Sequence, residues 1–150
     1  LIELMVVIAV LGILAIMAIP SYYFRVVREQ IEAITPLTTV AETPIASAWA
    51  LTQTLPADNA AAGLPVSSLM VGNYVSAVQI QNGAINVIFG NHATHALSGK
   101  ILTIRPAVVT SAPVVPVTWV CGNATAPNNM TVMGVNQTNI ASNYLPLNCK

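Results

Sequence analysis

The spacing of hydrophobic and polar positions changes twice along the chain. From Leu1 to Phe24 there is no period at all: Leu, Ile, Val, Met and Ala occupy every helical face, and Glu3 is the only charge. A helix that is apolar all round belongs in a membrane or among other helices, not on a wetted surface. No charge occurs from Leu4 to Phe24; as a helix this stretch spans about 31 Å, against about 30 Å of bilayer hydrocarbon. Tyr22, Tyr23 and Phe24 then stand where an aromatic belt at a membrane interface would, with Arg25 and Arg28 beyond them.

From residue 25 to 54 the pattern becomes periodic. Val27, Ile31, Ile34, Ala41, Ile45 and Ala48 recur at the three-, four- and seven-residue spacings of one helical face. The spacing predicts that the helix continues here with one side packed on a partner. Arg25 and Arg28 precede Glu29 and Glu32 by four residues each, the less favourable order for helical ion pairs. Weak pairs on a solvated face are one reading of these four charges; contacts between subunits are the other. Pro36 and Pro44 each remove an intrahelical hydrogen bond, so kinks are expected at both, or a break at Pro36.

After Pro56 and the loop Asp58–Pro65 the period shortens to that of strands. Candidate strands are Tyr74–Ile80, Ala84–Phe89, Lys100–Arg105 and Val117–Cys121. Gln81-Asn82-Gly83 signals a hairpin. Ile101, Thr103 and Arg105 alternate with Leu102 and Ile104, as in a half-buried strand. Ala107–Pro116 is rich in Pro and Val and is expected as a loop or edge. The Asn-rich stretch after Cys121 has little periodicity and is expected as loop. The predicted fold class is α+β: a long kinked N-terminal helix on an antiparallel sheet, with regions 1–24, 25–54 and 55–150.

Composition sharpens this picture. Hydrophobic residues make up 55% and charged residues only 7%, with a net charge of +0, where globular chains carry about a quarter charged. Nucleic-acid binding by bulk electrostatics is therefore not expected. An uncharged polar surface is poorly protected against self-association, which suits a subunit of an assembly. The two cysteines, Cys121 and Cys149, follow a membrane-length helix and point to one disulfide in an oxidising compartment; two unpaired buried thiols are the alternative. Closing that loop would stabilise the fold by about 3.5 kcal/mol on the chain-entropy relation. Arg25 and Arg28 would hold the following region on the cytoplasmic side, whereas the cysteines need the far side; a basic leader upstream of Leu1 would resolve the conflict.

LIELMVVIAVLGILAIMAIPSY resembles the N-terminus of type IV pilins, nearly residue by residue from Leu1 to Pro20. TWVCG and YLPLNCK resemble the segments that carry the paired cysteines of many pilins, while residues from about Pro36 to Pro116 match no motif. The resemblance implies a structural filament subunit, made as a precursor, cleaved and N-methylated by a prepilin peptidase, held in the inner membrane, then assembled with identical subunits by the pilus machinery. It implies two further residues before Leu1, and pairing of Glu3 with the amino terminus of a neighbouring subunit. It also implies that the helix loosens between Gly12 and Pro20 on assembly. A minor pilin or a type II secretion pseudopilin is the alternative; pseudopilins usually lack the terminal cysteine pair. A periplasmic domain on an anchor would need convergent ionisable groups, and none stand out.

Catalytic and cofactor chemistry has no candidate. The five carboxylates are scattered, so paired acid–base work is not expected. His92 and His95 lie in a predicted turn between Gly90 and Gly99 with no acidic residue near, and no metal is expected there. Asn123, Asn129 and Asn136 begin sequons inside the loop that the disulfide would close; glycosylation there, on Asn or on neighbouring Ser and Thr, is one reading, and chance triplets in an Asn- and Thr-rich stretch are the other.

Overall fold

A computed structural model describes residues 1–150. Helix α1 runs from Ile2 to Glu32 and helix α2 from Thr35 to Thr52. Ala33 and Ile34 join them with φ/ψ of −67°/−9° and −77°/−10°, close to helical values, so the chain is kinked rather than turned back. Pro36 therefore sits in the first turn of α2, where a missing N–H costs nothing. Of the two outcomes expected at Pro36, a kink or a break, the helix divides just before it. The Thr35 hydroxyl donates to the Glu32 carbonyl at 2.8 Å, replacing the backbone donor that proline lacks. Pro44 lies inside α2. Gln53, in the left-handed region at φ 56°, ends α2 by donating its N–H to the Trp49 carbonyl.

The buried face of this half is Val27, Ile31, Ile34, Thr38, Ala41, Ile45 and Trp49. Thr38 fills the gap in the predicted stripe, and Trp49 replaces Ala48 at its end. Thr38 is tolerated because its hydroxyl bonds back to the Thr35 carbonyl at 3.0 Å.

The sheet is antiparallel. Strands β1 (Val75–Gln81), β2 (Ala84–Phe89), β3 (Ile101–Val108) and β4 (Thr118–Cys121) lie in sequence order, and β5 (Thr131–Val132) also pairs with β3. Asn82 and Gly83, at φ 50° and 85°, make the two-residue turn between β1 and β2 that their identity predicts. That turn is seated on the exit from α2: its two N–H groups donate to the Ala57 and Pro56 carbonyls at 3.1 and 2.9 Å.

Two expectations fail on β3. The strand continues through Pro106 to Val108, so part of the predicted loop is strand; Pro106 pairs opposite Trp119. The strand is also buried along both faces rather than one, because the helix covers one face and the C-terminal segment the other. Polar residues in that segment bond to β3 through side chains. Ile101 N–H donates to Asn139 Oδ1 at 2.7 Å, Thr103 N–H to Thr138 Oγ1 at 3.0 Å, and Gln137 N–H to Thr103 Oγ1 at 2.9 Å. The fully buried Thr103 hydroxyl in turn donates to Asn86 Oδ1 at 2.8 Å. An Asn- and Thr-rich stretch with no strand period thus behaves as an extension of the sheet.

The outer edge of β1 is closed the same way. Asn59, only 8% exposed, donates to the Val78 and Pro65 carbonyls at 2.9 and 3.0 Å and accepts from Ile80 N–H at 2.8 Å. One side chain does the job of a neighbouring strand on an edge that would otherwise invite pairing with another chain.

Candidate assembly surface

Along α1 the environment changes within one helix. Every residue from Leu1 to Tyr23 is exposed, and the next turn is where the head begins: Val27 is fully buried. Glu3 stands in the helix's first turn with no partner within the chain, exposed among Leu1, Ile2, Leu4 and Met5. Gly12 has no atom within 4 Å of where a Cβ would be, so it fits no close contact inside a single chain. The helix is continuous from Gly12 to Pro20 in the isolated subunit.

The four charges at the junction do not behave alike. Arg25 Nε donates to Glu29 at 2.9 Å, with 78% and 59% of the side chains exposed. Arg28 instead donates to the Asn143 carbonyl at 3.1 Å, and the predicted Arg28–Glu32 pair is absent. The C-terminal segment takes Arg28 because Tyr144 brings it against the helix: its ring is edge-on to Tyr23 at 6.1 Å and tilted onto Phe24 at 5.1 Å. Nothing in the sequence around Tyr144 signals this contact.

Glu32 and Glu42 line a cleft of about 230 Å³ between the helices and the end of the chain, with Thr38, Trp119 and the disulfide. Burial raises the Glu42 carboxyl above the ordinary carboxylate range. Sequence periodicity gave no reason to single out Glu42; its partial burial comes from Trp119 and the C-terminal segment across the cleft.

Cys121 and Cys149 form a disulfide over a sequence separation of 28. Gly122, at φ 56°, lies so close to the Cys149 carbonyl that a Cβ there would stand 2.6 Å from it, so the position after Cys121 must be glycine. Asn136 donates to Asn123 Oδ1 at 2.9 Å, while Asn129 is exposed in a left-handed conformation at φ 68°. His92 and His95 are both exposed in the loop between β2 and β3.

The sequence model of the pilin family, described as a bacterial filament protein, matches residues 27–150. The fimbrial protein of Neisseria meningitidis serogroup B is 28% identical over 159 residues, covering all of this chain and 91% of that protein. The type IV major pilin protein PilE of Neisseria gonorrhoeae is 29% identical over 156 residues, again across all of this chain and 91% of the relative. The fimbrial protein EcpC of Eikenella corrodens is 34% identical over 110 residues, which cover 70% of this chain and 71% of that protein.

Proposed function

Since the chain belongs to the pilin family, we propose that its first helix serves two surroundings in turn, the inner membrane and then the core of a pilus. The protein is a structural subunit of a type IV pilus, a filament built from copies of itself and carried outside the cell. The observation that carries the two-stage reading is the exposure of every residue from Leu1 to Tyr23 beside a head that is well packed without them. The similarity to proteins named major pilins supports a major rather than a minor subunit.

Glu3 is the group that distinguishes the two surroundings. Lipid is as apolar as the neighbouring helices, so moving from one to the other gains little from the hydrophobic effect. Assembly therefore depends on close packing and on polar groups that distinguish the two states. A carboxylate buried among helices needs a cation, and the amino terminus of a neighbouring subunit supplies one. The pair sets axial register more than it adds stability. A weakened Gly12–Pro20 stretch lets the helices pack closely; Pro20 leaves the Ile16 carbonyl without its donor, and Gly12 lowers helix propensity. A prepilin peptidase and the pilus machinery deliver the subunit.

Glu3→Val tests this. The expected result is a folded, membrane-held subunit with normal disulfide content and few or irregular filaments in sheared surface material. Abundant regular filaments from Glu3→Val cells overturn the register role. A filament density map with unbroken helical rise from Gly12 to Pro20 overturns the loosening.

A further inference from the structure

The apolar half of α1 ends on a ring of aromatic groups that the helix does not supply alone. Tyr22 is 71% exposed and Tyr23 38%, and Phe24 follows. Tyr144, from the far end of the chain, completes the ring by packing on Tyr23 and Phe24. Neighbouring contacts hold it in place. Tyr144 and Leu145 N–H groups donate back to the Ala141 and Ser142 carbonyls at 3.0 and 3.2 Å, Leu145 is fully buried, and Arg28 holds the Asn143 carbonyl. Ala141, Ser142 and Asn143 are exposed.

Rings with an apolar body and a polar tip collect where hydrocarbon meets headgroups. Counting from Leu4, the helix reaches Phe24 after about 31 Å, the depth at which a bilayer's hydrocarbon ends. Just beyond the ring stand Arg25 and Arg28 with Glu29 and Glu32; Arg25 is paired with Glu29, and Arg28 donates to the Asn143 carbonyl. Lipid is the occupant that this position implies: the ring continues the apolar surface of α1 at the depth of the headgroups, and the two arginines beyond it can meet lipid phosphate.

We infer that the turn from Ala141 to Tyr144 is a second membrane-contacting element, resting in the lipid–water interface beside Tyr22 and Tyr23 while the subunit awaits assembly. The inference rests on the reading that α1 crosses a bilayer. A lone helix can tilt and slide in a bilayer; a second contact from the C-terminal segment fixes both the depth of the head and its rotation about the helix axis. The subunit is then presented for assembly in one orientation.

The test uses the full chain in vesicles of phosphatidylcholine and phosphatidylglycerol, with tryptophan introduced as Tyr144→Trp, Ser142→Trp, Tyr22→Trp or Ile13→Trp. Trp49 and Trp119 form a constant background. Lipids brominated near the headgroup should remove the emission added at positions 144 and 142 as fully as at 22, and leave the wild-type emission unchanged. Ser142→Trp places its ring on an exposed position, so it reports even if Tyr144→Trp disturbs packing. Quenching of Ile13→Trp by deeply brominated lipid, with none at 142 or 144, overturns the collar and leaves the spanning helix standing. No quenching at Ile13→Trp overturns both. Shielding at 144 that rises with protein-to-lipid ratio and is insensitive to bromine assigns the surface to a second copy and overturns the inference.

Discussion

The two halves of the N-terminal helix are built from similar residues and have opposite environments. Before Phe24, Ile, Leu and Val lie in the open on every side; after Arg25, the same residue types form one stripe and are covered by the sheet. Helix formation is therefore not what separates them. What separates them is whether polar residues occupy the remaining faces. With polar residues on three sides, one side can be buried within the chain and the helix becomes part of a fold. With none, no single chain can cover it, and the helix is completed only by lipid or by other subunits.

This contrast can be broken in order of effect. Ile45→Ala, at a fully buried position, should cost about 2–5 kcal/mol in melting of the full chain in detergent, while Ile13→Ala should change that melting by less than about 0.5 kcal/mol and act on filament yield instead. Equal costs at both sites would mean that the apolar half is packed within the subunit after all. Replacing Cys121 and Cys149 with serine should lower stability by about 3.5 kcal/mol, read from the shift in denaturation midpoint. Asn59→Ala should cost about 1–3 kcal/mol, since it strands the Val78 carbonyl and Ile80 N–H at a sheet edge; hydrogen exchange at Ile80 is the specific readout.

The smallest effect is one of pH, and its sign follows from Glu42. The folded chain holds this proton more tightly than the unfolded chain, so stability falls as pH rises from the ordinary carboxylate value through the raised folded one. Glu42→Gln should remove that slope and leave the subunit slightly more stable at neutral pH, as thermal melts across the range would show.

Much of this was legible in the sequence because it depends on local period. The unbroken apolar run, the helical stripe from Val27 to Ile45 and the Asn-Gly turn each state their structure within a few residues. The break before Pro36 was legible only as one of two outcomes, because a proline serves equally as an interior fault or as a first-turn residue. The burial of β3 on both faces was hidden, since the segment covering its second face bonds through Asn, Thr and Gln side chains and has no period to detect. Tyr144 was hidden for a different reason: its partners, Tyr23 and Phe24, lie at the opposite end of the chain. Glu3, proposed above to set register, was marked out by anomaly instead, as a charge where the surrounding pattern has no use for one.

The Asn and Thr bonding that ties the last segment to β3 has one more consequence. Between residues 55 and 150 the charged side chains are Asp58, Lys100, Arg105 and Lys150, and the chain's single ion pair lies outside that region, on α1. Bonds between neutral groups neither titrate nor weaken in brine. In the heads of the filament the bonding that ties the last segment to β3 should persist in acid, in fresh water and in concentrated salt alike.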